Sequence, residues 1–159
     1  ILPVEYDRAS ELALECLSGL PEAQHMISMG IAGCDVRFET QAKNWDESSM
    51  KDNTGEKRKH GSPIIKGASE YLKFSINANF LYWQSLNATQ NDSLRRSMRI
   101  SESTGSYVCN NTAYRIQYEL NKKPSAPKYS FIHLPTATCS YPQNDVGLIS
   151  KSLAHGIEM

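Results

Sequence analysis

Segments with helical spacing alternate along this chain with short apolar runs, and that alternation constrains the fold more than any other feature. The apolar positions of Ala9 to Leu20 recur at helical spacing, with Asp7 as an N-cap and Gly19 and Pro21 near the end, which predicts a first helix. Met26, Ile27, Met29 and Ile31 form a short apolar run entering a turn at Gly30-Ile31-Ala32-Gly33, as a buried strand would on reaching a loop. From Asp35 to Ser62 the chain is polar and turn-rich, with a short strand predicted at Val36 to Phe38. Ile76 to Leu86 reads as a second helix, Asn87 to Ser93 as a surface turn, and Arg99 to Ser101 as a strand. Tyr107 to Leu120 has the length and spacing of a helix, Lys122 to Lys128 of a loop, and Tyr129 to Leu134 of an apolar strand stopped by Pro135. A closing helix is predicted over Asp145 to Ile157. Such an order implies an α/β fold, a three-layer α/β/α sandwich around a mostly parallel central sheet.

A chain of 159 residues suits one compact domain with its own core, so residues 1–159 are expected to form a single domain. No run of about 18 apolar residues is present to span a bilayer. Lys plus Arg number 17 and Asp plus Glu number 17, so no net field draws the chain to phosphate backbones or anionic lipid. Nucleic acid and membrane are therefore not expected partners, and oligomeric state is not legible. The basic cluster Lys57, Arg58, Lys59 and His60 follows an Asp-Asn-Thr-Gly turn and reads as a solvated loop.

Cys16, Cys34, Cys109 and Cys139 lack the close pairing of a metal site or a small secreted scaffold, and reduced thiols are expected. Sequons begin at Asn87, Asn91 and Asn110, yet no charged-then-apolar leader precedes them, which favours a cytoplasmic location.

Three residues carry candidate chemistry. Cys109 follows the Ser103-Thr104-Gly105-Ser106 break and falls in the first turn of a predicted helix. There, unpaired backbone N–H groups and the helix dipole favour a thiolate and offer donors to an oxyanion. Earlier alkylation of Cys109 than of Cys16 is expected on that ground. His133 ends the apolar strand of Phe131-Ile132-His133-Leu134-Pro135, a position suited to a base, and Glu39 is placed to orient an imidazole. Each also has an ordinary structural reading: a buried inert thiol, a satisfied core histidine and a solvated glutamate.

Taken together, Ser103-Thr104-Gly105-Ser106-Tyr107-Val108-Cys109-Asn110 resembles the nucleophile signature of the type I pyroglutamyl-peptidase family of cysteine peptidases. Phe131-Ile132-His133-Leu134-Pro135 is similar to the segment carrying that family's histidine. Gly30 to Gly33 through Glu39 to Asn44 resembles its glycine turn, glutamate and nearby asparagine, and Met50-Lys51-Asp52-Asn53-Thr54-Gly55 resembles the loop that follows. The likeness runs from Leu2-Pro3-Val4 to about Pro135 and implies a phosphorylase/hydrolase-like fold and hydrolysis of N-terminal pyroglutamyl residues from peptides. Cys109 would be the nucleophile, His133 the base and Glu39 its orienting partner, with no metal or cofactor required. A neutral lactam calls for a small apolar pocket with backbone donors and acceptors, around which the resemblance puts Ile31, Met50, Tyr107 and Val108.

Family members usually begin with a strand and a Gly- and Phe-rich loop lining that pocket, whereas this chain opens at Ile1 beyond both, as if its N-terminal part were missing. Two family arginines are replaced, by Cys34 after the glycine turn and by Ser49 before Met50. The alternative is a non-catalytic relative that keeps the fold and binds peptides, which turnover and selective alkylation of Cys109 would distinguish.

Overall fold

The computed structural model describes residues 1–139, 141 and 143–156. In chain order the elements are α1 (Arg8–Ser18), β1 (His25–Ile31), β2 (Val36–Glu39), β3 (Gln41–Lys43), β4 (Asp46–Ser48), β5 (Arg58–Ser62) and β6 (Tyr71–Lys73). These are followed by α2 (Ala78–Ala88), α3 (Asp92–Ser97), β7 (Met98–Ser101), α4 (Val108–Leu120), β8 (Lys128–Leu134) and α5 (Gln143–Gly156). Every helix and strand predicted from the sequence has a counterpart, although Ile157, the predicted end of the last helix, lies outside the described residues.

The central sheet has the order β1-β8-β2-β7. β1 and β8 pair in parallel, as do β2 and β7, while β2 meets β8 antiparallel, so the sheet is mixed with mostly parallel neighbours. Because side chains alternate across a strand, β2 and β8 feed two cores at once. Val36 and Phe38 join Ile132, Leu81 of α2, and Ile149 and Leu153 of α5 on one face. Tyr129 and Phe131 join Ala113, Tyr114 and Ile116 of α4 and Ala13 of α1 on the other. These two buried clusters give the helix–sheet–helix layering that the alternating pattern implies.

The stretch predicted as one long polar loop contains three further short strands. β3 pairs with β6 and β4 with β5, each antiparallel. They are too short and too polar for period-two hydrophobicity to reveal. α3 is missed for a similar reason: it has six residues, and its capping Asn91, whose side chain accepts from the Leu94 N–H at 2.9 Å, lies within the expected surface turn.

Three sequence expectations need correction. Cys34 and Cys139 form a disulfide with their Cα atoms 5.6 Å apart across a sequence separation of 105, whereas all four thiols were expected reduced. The parallel pairing of β1 and β8 brings the following loops together, a proximity that spacing along the chain does not show. Arg58 is not solvated with its neighbours but half-buried, bonding Asp46 and, at 3.2 Å, Asp7 Oδ2. Asp7 stands at the N-cap position of α1 without a side-chain cap bond and with a φ of 59°. Its carboxylate instead meets Arg58, Arg115 and Asn111, and these partners hold it in a conformation unfavourable for a non-glycine residue.

Asp46 has no exposed side-chain surface, and burial pushes its carboxyl pKa up, against the opposing pull of Asn111 and Arg58. Removing one partner of such a pair strands a charge out of water. Arg58→Ala is therefore expected to cost about 3–5 kcal/mol, lowering the melting temperature by roughly 6–20 °C. Adding Asp46→Asn should restore part of that loss by removing the stranded charge. Thermal melts of the parent, single and double variants measure both effects, and an unchanged melt for Arg58→Ala would refute the structural role.

Candidate active site

β8 presents His133 to the α4 side of the sheet, the side that Tyr129 and Phe131 also face. β2 runs antiparallel beside it with Arg37 opposite His133 and Glu39 opposite Phe131. Since Val36 and Phe38 enter the other core, Arg37 and Glu39 project toward the imidazole. His133 Nδ1 lies 2.7 Å from Glu39 Oε1, with side chains only 3% and 0% exposed. An ionised carboxylate can only accept, so Nδ1–H donates and Nε2 remains for another partner. The Phe131 ring packs 5.0 Å from the imidazole, centroid to centroid.

The thiol reaches the same face from above. On β1, Gly30 is the register partner of His133, and a Cβ built there would sit 3.0 Å from Cys109 Sγ and 2.9 Å from the Phe131 ring. Only a glycine permits so close an approach. Cys109 and His133 therefore occupy neighbouring positions on one side of the sheet, at the C-terminal ends of the parallel pair β1 and β8.

Asn110, the next residue along, fixes the start of α4. Fully buried, its Oδ1 accepts from the Lys43 N–H at 2.9 Å and the Thr104 hydroxyl at 2.7 Å. Its Nδ2 donates to the carbonyls of Lys43 and Trp45 at 2.9 Å each. The side chain thus saturates its bonding capacity and ties the helix that carries Cys109 to the segment that follows Glu39. In the sequence Asn110 stands out only as a sequon and as the residue that closes the segment around Cys109, and neither shows these bonds.

The electrostatics depart from the sequence-based expectation. Burial pushes the Cys109 thiol pKa up; the Arg37 charge pulls it down, Glu39 pushes it up, and the residue's own backbone N–H pulls it down, for a net upward shift. The first-turn position is present, as expected, and burial of the sulfur is the largest influence on the thiol.

The four residues expected around a pyroglutamyl ring separate into different settings. Val108 is buried with Tyr6 and Ala9, so its side chain serves packing. Tyr107 packs edge-on against Tyr6 at 5.6 Å and donates its hydroxyl to the Lys51 carbonyl at 2.6 Å, joining the start of α4 to the loop that carries Met50. Ile31 and Met50 are open to solvent, at 69% and 55% exposure. The disulfide stands behind this edge, where Ala32 N–H donates to the Leu134 carbonyl at 3.1 Å and Thr136 N–H to the Gly33 carbonyl at 2.9 Å. Among the described residues, no group of three or more His, Cys, Asp or Glu side chains is placed to hold a metal ion, and no helix is long and apolar enough to cross a membrane.

Comparison with known proteins gives the geometry a context. A pyrrolidone-carboxylate peptidase of Fusobacterium nucleatum is 29% identical over 120 residues, covering 72% of this chain and 51% of the relative. The chain spans about half the length of that relative. A pyrrolidone-carboxylate peptidase of Vibrio vulnificus is 27% identical over 163 residues, covering 99% of this chain and 71% of its own. The crystal structure of pyroglutamyl peptidase I from Bacillus amyloliquefaciens superposes with a TM-score of 0.78 at 21% identity, over 96% of this chain and 73% of that one, a likeness of fold. The sequence profile described as pyroglutamyl peptidase matches residues 1–157, and the chain belongs to that family.

Proposed function

We propose that this chain is a cysteine peptidase that hydrolyses N-terminal pyroglutamyl residues from peptides through a thioester. The observation that carries the proposal is the buried Glu39–His133 pair on the sheet face that Cys109 approaches across Gly30. A structural histidine needs no thiol beside it, and a structural cysteine needs no oriented imidazole.

In this mechanism, His133 Nε2 takes the Cys109 proton while Nδ1–H stays directed at Glu39. The thiolate attacks the carbonyl carbon of the pyroglutamyl peptide bond, and the negative charge moves to the carbonyl oxygen. The Cys109 N–H, in the first turn of α4 where no side chain caps the helix, stabilises that oxyanion, whereas the Asn110 and Asn111 N–H groups already donate to the Tyr107 carbonyl. As the intermediate collapses, the C–N bond breaks and imidazolium returns its proton to the departing amine. Water then gives a proton to Nε2 and attacks the thioester, releasing pyroglutamate and regenerating the thiol. Glu39 holds the imidazole in one tautomer and offsets its charge when protonated.

In the same proposal, Tyr107, Met50 and Ile31 contribute to the mouth of the ring pocket, and Val108 contributes backbone rather than side chain. No metal or cofactor takes part in any of these steps. The cytoplasmic expectation drew in part on reduced thiols, and the Cys34–Cys139 bridge removes that part of it, so location is not part of the proposal.

Release of a fluorogenic amine from a pyroglutamyl amide tests the reading. Cys109→Ser and His133→Ala are each expected to lower kcat/KM by about a thousandfold or more, because either change disables the same step. Glu39→Gln should cost less, since both reacting groups remain, and Cys16→Ser should leave turnover unchanged. Activity that survives Cys109→Ser would refute the assignment. Saturable binding of a pyroglutamyl peptide without turnover would favour the peptide-binding alternative.

A further inference from the structure

Arg37 lies on β2 directly opposite His133 in the antiparallel register and shares the face that presents Glu39. Its Nε stands 3.7 Å from Glu39 Oε1, the oxygen that also meets His133 Nδ1 at 2.7 Å. That Nε is buried and makes no hydrogen bond, and Glu39 Oε2 is likewise buried without a partner. The Arg37 side chain is 26% exposed, half-buried beside a carboxylate with no solvent contact. An arginine so placed meets the carboxylate chiefly through charge, at a distance too long for a hydrogen bond.

A charge count of the site gives this arrangement a purpose. Glu39 contributes one negative charge, while proton transfer from Cys109 to His133 creates a thiolate and an imidazolium that cancel. Without Arg37, the proton would have to leave sulfur in a poorly solvated site already carrying an uncompensated anion, which disfavours the thiolate. We propose that Arg37 is a positioning residue of this site, the fixed cation that offsets Glu39 and so allows Cys109 to release its proton while Glu39 stays directed at His133.

The other groups facing the thiol do not replace it. From β2 come Arg37 and Glu39, whose effects on Cys109 oppose each other. From β8 come His133, the proton acceptor, and Tyr129, whose phenol burial pushes upward. Tyr107, just before α4, is also raised, first by burial, and β1 contributes only Gly30 at the point of contact. Both phenols stay neutral near pH 7, so Arg37 is the permanent cation of the set.

The inference rests on the peptidase reading for the role of Cys109, but the acidity of a thiol is measurable without hydrolysis. The experiment is the rate of iodoacetamide alkylation at Cys109, mapped by mass spectrometry over a pH series, for the parent, Arg37→Gln and Arg37→Lys. Arg37→Gln is expected to raise the Cys109 midpoint by about one pH unit, slowing alkylation about tenfold below it. Arg37→Lys, which keeps the charge, should shift the midpoint by less than about a third of a unit. A role confined to packing would lower the melting temperature of either variant and leave the midpoint in place.

An unmoved midpoint in folded Arg37→Gln overturns the proposal. Should that variant fail to fold, Arg37→Lys decides: a midpoint near the parent's supports fixed charge, and a shift near a full unit overturns it. A shifted midpoint in a chain that never hydrolyses pyroglutamyl amides would retain Arg37 and refute the peptidase reading. Hydrolysis with an unmoved midpoint would do the reverse.

Discussion

Glu39 has no contact with solvent, and a buried carboxylate must find partners or lose its charge. Its pairing with His133 is the constraint on which the arrangement of this molecule turns. The pair exists because β2 runs antiparallel to β8 in an otherwise parallel set of neighbours. That pairing sets Arg37 against His133 and Glu39 against Phe131, so four side chains meet on one face. A one-residue slip of β2 would send Arg37 and Glu39 into the apolar core now filled by Val36 and Phe38, at a cost no local contact would offset.

The helix that carries Cys109 is fixed at its first turn by polar bonds as well as by the packing of Val108 against Tyr6 and Ala9. Asn110 fastens it to the segment from Lys43 to Trp45. Asn111 donates to Asp46 at 2.6 Å and to Asp7 at 3.1 Å, and Arg58 closes the same network from β5. Three separate stretches of chain thereby converge on the first turn of α4. Gly30 sets the remaining dimension by letting Cys109 Sγ come down onto the sheet. The result is a thiol on the sheet face that His133 shares, and burial there pushes its pKa up.

Apolar periodicity made the layers legible, since α1, α2, α4 and β8 each bury a recognisable set of residues, whereas β1, expected as a buried strand, lies at the sheet edge with Met29 and Ile31 exposed. The candidate residues were legible because Cys109, His133 and Glu39 sit at the end of a strand or the start of a helix, where chemistry-bearing side chains interrupt apolar runs. Short polar strands such as β4 and β5 left no such pattern. Pairings that depend on three-dimensional proximity left none either: the Cys34–Cys139 bridge and the inward turn of Arg58 follow from the sheet's connectivity, not from neighbours in sequence. Arg37 was hidden for another reason, because an arginine on a short strand reads as a solvated charge until the opposing strand is known.

The measurement closest to the central claim is direct capture of the acyl-enzyme. The chain would be mixed with a reactive pyroglutamyl ester, quenched in acid, digested and analysed by mass spectrometry. Covalent gain of one pyroglutamyl group on Cys109, absent after Cys109→Ser and lost on neutral incubation as water completes the reaction, is the predicted result. A labelled Cys16 beside an unmodified Cys109, or hydrolysis proceeding with no adduct in Cys109→Ser, would contradict the account.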